Sequence, residues 1–303
     1  MNKVRFQGGI TKLVASKIGE KNKSKFSKFI NNNLSFLAKD VSGMHIDIEV
    51  VSFSSCRDFE EQVLSILTFI KNIGIPSCWT LYSDGTHTAE QISISENAFG
   101  FLKIIQNNTY HNSLPGEIKD TLIVHKKYLL DYANKSPLGK KLLYYLNFSI
   151  KKPTIFLDSD VLFYQKASCI RNILEENVDG WFLPDAEWGN LDSRYIARTN
   201  PQHYQINSGL FFLKREIKSI SVGLDFLKCM SGNYEYFSEQ SVFHIILSNN
   251  NLFPLDPRVF VLNSDDQFDF SYLYSRENIA ARHYTSPVRH KMWQRDWKWH
   301  LSL

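Results

Sequence analysis

From residue 45 onward the apolar positions fall into short blocks whose period changes. Ile46, Ile48, Val50, Val51 and Phe53 make a β-rich run that ends in Ser52, Ser54 and Ser55, the pattern of a core strand. Phe59 to Ile73 then carries Val63, Leu64, Ile66, Leu67, Phe69 and Ile70 at amphipathic-helix spacing, with Gly74 and Pro76 as stop signals. Cys78-Trp79-Thr80-Leu81-Tyr82 predicts a second strand, closed by the turn Ser83-Asp84-Gly85. Strand, helix, strand within about 40 residues is a βαβ unit, which requires a parallel sheet.

The pattern continues past a short stretch at Phe99–Ile105. Lys126 to Phe148 predicts helix, broken near Ser136-Pro137. Thr154-Ile155-Phe156-Leu157, entered through Pro153, is a compact apolar run that stops abruptly at Asp158-Ser159-Asp160, before Val161-Leu162-Phe163 resumes. A strand at Gly180–Leu183 and a helix at Ser238–Leu247 follow, with Ser238 as the expected N-cap and Glu239 favouring the positive helix end. The expected fold class is α/β, a mainly parallel, Rossmann-like sheet flanked by helices in one large domain. Residues 1–44 are set apart as a basic, helical N-terminal extension, because residues 11–30 interleave Lys12, Lys17, Lys21, Lys23, Lys25 and Lys28 with apolar residues. Such a segment docks on the main domain with a solvated face, or lies on an anionic membrane surface.

Composition narrows the class. The 303 residues are 43% hydrophobic and 22% charged, enough to bury a substantial core, and the mean hydropathy of −0.27 is that of an ordinary globular protein. Lys and Arg number 35 against 31 Asp and Glu, a surplus too small to argue a nucleic-acid partner from global charge. Cys56, Cys78, Cys169 and Cys229 form no C-x-x-C pair and so offer neither a disulfide framework nor a zinc-finger spacing. With no signal-peptide pattern, and no run near the ~20 apolar residues of a membrane span, the expected location is cytoplasmic.

The chemistry gathers at strand ends, where open parallel sheets bind their ligands. That rule places Ser52, Phe53, Ser54 and Asp84 in one crevice, with Asp84 either accepting from a base or ribose or serving only as the turn residue before Gly85. Asp158 and Asp160 at the tip of a buried strand repel each other and lose hydration, an arrangement that signals a bound cation. Mg²⁺ and Mn²⁺ prefer such carboxylate oxygens and share their remaining positions with water and substrate phosphates, so the expected ligand is a metal–diphosphate unit.

The string Ile155-Phe156-Leu157-Asp158-Ser159-Asp160-Val161-Leu162-Phe163 resembles the D-x-D segment of nucleotide-sugar glycosyltransferases with the GT-A fold. Gln62 to Gly85 looks like the nucleotide-binding βαβ of bacterial sugar transferases, and Ile206-Asn207-Ser208-Gly209-Leu210 resembles their N-S-G strand. The segment from Arg282-His283-Tyr284 to Trp293 is similar to the H-x-x-G-x-x-K-P-W closure of glycogenin-like transferases, with His283 in the histidine place and Arg289 in the lysine place. It departs from it at Ser286, where glycine would stand, and at Trp293, two positions late.

The resemblance covers about residues 45 to 300 and divides them into a nucleotide-binding half (45–165) and an acceptor and closure half (166–303). It implies transfer of a sugar from a nucleotide-diphosphate donor, a UDP-sugar, to an acceptor hydroxyl, with Mn²⁺ or Mg²⁺ as cofactor. Asp158 would face ribose and metal, and Asp160 and His283 would ligate the metal. Asn207 and Ser208 would meet sugar hydroxyls, and Gly209 would let backbone approach the ligand. Ser159 joins the donor site, and which of Arg289, His290 and Lys291 meets the diphosphate stays open. Asp185, Glu187 and Glu239 are the candidate bases, with Trp188 available to stack on a sugar face. The acceptor is left open among a saccharide, a lipid-linked sugar and a protein.

Two other classes fit parts of the pattern. A magnesium-dependent phosphatase would use Asp158 as nucleophile and Asp160 as acid/base, with Asp265 and Asp266 as later carboxylates. A catalytically silent nucleotide-sugar-binding or carbohydrate-binding module would keep the cleft without turnover.

Overall fold

The computed structural model describes residues 9–40, 43–106, 118–185, 189–197, 204–262, 275–286 and 288–301. Glu187, Trp188, Asp265 and Asp266 lie outside them. Ten strands are described: β1 (His45–Ser54), β2 (Ile75–Ser83), β3 (Leu102–Ile105), β4 (Thr154–Asp158), β5 (Val161–Phe163), β6 (Gly180–Pro184), β7 (Ile206–Leu213), β8 (Leu252–Pro254), β9 (Phe260–Val261) and β10 (Ala281–His283).

Seven of them make one sheet in the order β3-β2-β1-β4-β7-β6-β8. β1 pairs in parallel with β2 and β4, β2 with β3, and β6 with β8, while β7 runs antiparallel to both of its neighbours. The sheet is mainly parallel, as the spacing of strands and helices requires.

Period-two alternation sends successive side chains to opposite faces of this sheet. Val50, Ile155 and Leu157 enter one apolar cluster, with the helix Phe59–Asn72 and the chain's C-terminal segment. Val51 and Phe156 enter the other, under the helices Lys126–Lys135, Pro137–Asn147, Ile220–Cys229 and Ser238–Ser248. Phe156 stacks on Phe211 of β7 with ring centroids 4.8 Å apart. The break in the 126–148 helical stretch is a capped start: Ser136 Oγ accepts from Leu138 N, and Pro137 opens the next helix, where its missing N–H costs nothing.

The helix Gly9–Asp40 packs into the same core as the sheet. Phe26, Ile30 and Leu34 are buried in it, and the Phe26 ring lies 5.3 Å from that of Trp293 and 6.1 Å from that of Trp297. Lys23 donates to both oxygens of the buried Glu61, whose Oε1 also accepts from Trp293 Nε1 at 2.7 Å. Among the described residues no helix is long and apolar enough to cross a membrane.

A second, three-stranded sheet, β5-β10-β9, lies beside the end of β4. β10 pairs antiparallel with β5, bringing His283 opposite Val161, and Tyr284 N donates to Asp160 O. This ladder ties the C-terminal segment to the acidic turn.

Candidate active site

The acidic turn is fixed by its surroundings before any ligand is considered. Tyr145 OH donates to Leu157 O, Ser65 Oγ donates to Val161 O, and Thr68 Oγ1 accepts from Phe163 N. Asp158 therefore emerges at the tip of β4, and Asp160 turns under His283. Asp158, Asp160 and His283 each offer a ligand atom within 4.8 Å of the others. His283 Nε2 is 3.2 Å from Asp160 Oδ1 and 3.8 Å from Asp158 Oδ2.

The imidazole's orientation is decided by its other nitrogen. Asn207 Oδ1 accepts from Gly209 N at 2.9 Å, which identifies it as the amide oxygen, so the His283 Nδ1 3.0 Å away carries the proton it donates. A neutral His283 then aims the Nε2 lone pair at two carboxylates, which is repulsive unless a cation or a proton lies between them. Two carboxylates and a neutral imidazole nitrogen are a donor set that fits Mn²⁺ or Mg²⁺. A proton there is favoured as well: burial lowers the pKa of His283, but the charge and hydrogen bond of Asp160 outweigh it and hold the imidazole above its ordinary value. Burial works to raise Asp160, yet Arg289 and His283 hold its carboxyl well below the usual range.

Two cations flank the acidic pair. Arg289 donates to Asp160 Oδ2 and, at 3.0 Å, to Asp58 Oδ1. Lys141, 2% exposed, lies 2.6 Å from Asp158 Oδ1 and 3.2 Å from Glu239 Oε1. Burial depresses its pKa, but the charges of Asp158 and Glu239 overcome this and keep it protonated. Glu239 is pushed above the ordinary carboxylate value, chiefly by burial, while Lys141 pulls the other way and Asp158 adds to the rise. Its Oε2 accepts from Ser208 Oγ at 2.9 Å.

A cleft of about 800 Å³ opens over these groups. Its wall includes Phe53, Ser54, Asp84, Asp158, Ser159, Asp160, Asp185, Asn207, Ser208, Gly209, Glu239, His283 and Arg289, so most of the residues singled out in the sequence converge there. Asp84 keeps its turn role as well, since its Oδ1 accepts from both the N–H and the hydroxyl of Thr86. Asp185 accepts from the side chains of Asn190, Asn207 and Gln240.

Several expectations are corrected by this geometry. Ser52 does not line the cleft: it lies one pleat below Ser54 on the same face of β1, opposite Leu157 and so beneath the strand tip, where its hydroxyl accepts from Trp79 Nε1 at 2.8 Å. Lys291 is buried outside the cleft, two residues from Arg289 in a helical turn and so on a different side of it. Phe237, not Ser238, holds the N-cap position, and Ser238 Oγ instead donates to Asp192 Oδ2 at 2.7 Å. Asn207 is not free to meet sugar hydroxyls, because its oxygen accepts twice and its nitrogen donates to Asp185 and Gln240. At Gly209 a Cβ would stand 2.2 Å from His283 Cε1, so the missing side chain makes room for the imidazole. Trp293 is buried against the N-terminal helix.

Lys141, Asp58 and Gln240 line the cleft without having been singled out. Lys141 left a trace as a lysine on the same helical face as Leu138 and Tyr145, and Gln240 as the neighbour of Glu239.

No protein-family model matches the chain, and no curated protein matches it either. Solved structures do. The galactosyltransferase LgtC, solved with donor and acceptor sugar analogues, aligns with a TM-score of 0.50 and 11% identity over 83% of this chain and 99% of that one. The bifunctional glycosyltransferase WbbM, in its apo form, gives a TM-score of 0.50 and 11% identity over 84% of this chain and 51% of that one. The likeness establishes the fold: the chain has the GT-A architecture that its motifs imply.

Proposed function

We propose that the chain is a metal-dependent glycosyltransferase that moves a sugar from a nucleotide-diphosphate donor, a UDP-sugar, to an acceptor hydroxyl. The observation that carries this reading is the convergence of Asp158, Asp160 and His283 at the carboxyl edge of the central strands, inside a cleft of about 800 Å³. Phe53, Ser54 and Asp84, at the ends of β1 and β2, line the part of the cleft suited to a nucleoside, and Ser159, in the wall of the same cleft, would meet the ribose and phosphates.

Held by Asp158, Asp160 and His283, a Mn²⁺ or Mg²⁺ ion would supply positive charge against the negative charge that grows on a departing diphosphate. The chain adds its own cations there. Lys141 is buried, where Coulomb interactions are strong, and Arg289, about a third exposed, adds its charge beside Asp160. On the other side of the cleft Asp185 is fixed by three amide donors, which suits it to orient a sugar hydroxyl. Glu239, with its raised pKa, is the carboxylate best placed to take a proton, and Glu187 remains a further candidate base.

The outward face of the N-terminal helix adds a second contact. Lys17, Lys21, Lys25 and Lys28 are exposed on the side opposite the buried Phe26 and Ile30, together with Leu13 (64% exposed) and Val14 (49%). This combination suits an anionic membrane surface, on which the enzyme would rest peripherally beside a lipid-linked acceptor.

The test is a thermal-shift panel of UDP-, GDP-, CDP- and dTDP-sugars, each with and without Mn²⁺, since a ligand of the folded state raises the melting temperature. A UDP-sugar with Mn²⁺ should give the largest rise, and Asp160→Asn should erase its Mn²⁺-dependent part. Retention of that part by the variant would sink the metal assignment. Binding without hydrolysis of any donor would favour a silent module, and phosphate release from a phosphomonoester alone would favour the phosphatase.

A further inference from the structure

Asn207 is the most fully committed polar side chain of the cleft. Its Oδ1 accepts from Gly209 N and His283 Nδ1, and its Nδ2 donates to Asp185 Oδ2 and Gln240 Oε1, both at 3.2 Å. An amide has two lone pairs and two N–H bonds, and all four are used. The side chain is 5% exposed, on a strand paired on both sides by β4 and β6. The Gly209 N–H fixes which end of the amide faces His283, and the absent Cβ of Gly209 leaves the space the ring occupies.

We infer that Asn207 is a positioning residue that selects the tautomer of His283: by accepting the Nδ1 proton it leaves Nε2 unprotonated and aimed between Asp158 and Asp160, so that the imidazole is ready to ligate a divalent cation. Outer partners of metal-ligating histidines act in this way, fixing ring orientation and basicity. Here the same amide also holds Asp185 and Gln240 through its nitrogen, so the cation end and the hydroxyl-orienting end of the cleft hang on one side chain. The inference rests on the reading of Asp158, Asp160 and His283 as cation ligands.

Two measurements test it, neither of them turnover. The first uses Mg²⁺-saturated wild-type protein labelled with ¹⁵N at histidine, in which the His283 signal is identified by its loss in His283→Gln. Long-range ¹H–¹⁵N correlation should place the proton on Nδ1, and a proton on Nε2 would overturn the inference. The second is Mn²⁺ titration followed by electron paramagnetic resonance. Asn207→Leu, close in volume but without an acceptor, should bind Mn²⁺ about 10- to 100-fold more weakly than wild type while keeping its far-UV circular dichroism. Equal Mn²⁺ affinity in a folded Asn207→Leu protein would overturn the inference and leave the metal site standing. A wild-type protein that binds neither Mn²⁺ nor Mg²⁺ would overturn both.

Discussion

Lys141 Nζ lies 2.6 Å from Asp158 Oδ1, with the ammonium buried on the floor of the cleft and Glu239 on its other side. One buried cation thus serves two carboxylates that belong to different elements. Removing it leaves both uncompensated, and breaking a buried pair in this way costs about 3–5 kcal/mol. Lys141→Met should lose stability on that scale in urea unfolding. Saturating Mg²⁺ should return part of the loss, because a cation at Asp158 supplies the missing charge, and a variant unaffected by Mg²⁺ would separate Asp158 from the metal.

Gly209 sets the depth of the imidazole. A Cβ there would meet His283 Cε1 at 2.2 Å and Nδ1 at 2.6 Å, distances no packed atoms tolerate, so the ring must move. Gly209→Ala should cost about 1–3 kcal/mol through overpacking. It should also weaken Mn²⁺ binding about 10- to 100-fold, read by the same resonance titration. Full affinity in this variant would mean that the ring can shift without losing the cation.

His300 gives the pH dependence a handle outside the cleft wall. It is buried, its ring 4.7 Å from that of Tyr164, and burial, with the nearby charges of Lys71 and Arg276, pushes its pKa down to about 3. The unfolded chain, at about 6.5, binds the proton first, so stability is complete above pH 6.5 and falls as pH drops toward 3. Between pH 7.5 and pH 5 this histidine should account for a loss of about 2 kcal/mol, at 1.36 kcal/mol per pH unit below 6.5. His300→Phe keeps a ring and removes the titration, so its urea midpoint should fall less over that interval than that of wild type.

Membrane contact predicts a salt-sensitive partition. Vesicles containing phosphatidylserine should pull down the protein, and neutral phosphatidylcholine vesicles should not. With about 1 kcal/mol for each lysine near an anionic surface, changing Lys21, Lys25 and Lys28 together to serine should weaken sedimentation on the order of 100-fold. Raising the salt to about 1 M, where the screening length is near 3 Å, should release the wild type. Binding that ignores both would refute an electrostatic contact.

The elements that were legible in the sequence are those whose pattern is local. Thr154–Leu157 reads as a central strand because both of its faces are buried, and the abrupt arrival of Asp158 is visible against that background. The helix Phe59–Asn72 and the break at Ser136-Pro137 follow equally local rules. What escaped depends on partners distant in the chain. Ser52 and Ser54 share one run, but only the register of β1 against β2 and β4 decides that Ser52 meets Trp79 while Ser54 reaches the cleft. Arg289 and Lys291 were equivalent as basic residues, and helical phase separates them. Lys141 looks like any solvated lysine until Asp158 and Glu239 are seen on either side of it.

The pairing of β10 with β5 has a temporal consequence. Synthesis from the N-terminus delivers Asp158 and Asp160 more than a hundred residues before His283, so a chain halted before Ala281 holds Lys141 beside Asp158 but neither His283 nor Arg289 beside Asp160. A cation held by all three groups would therefore be captured only after this last strand has paired. Its retention would then report that β10 has found its place along β5.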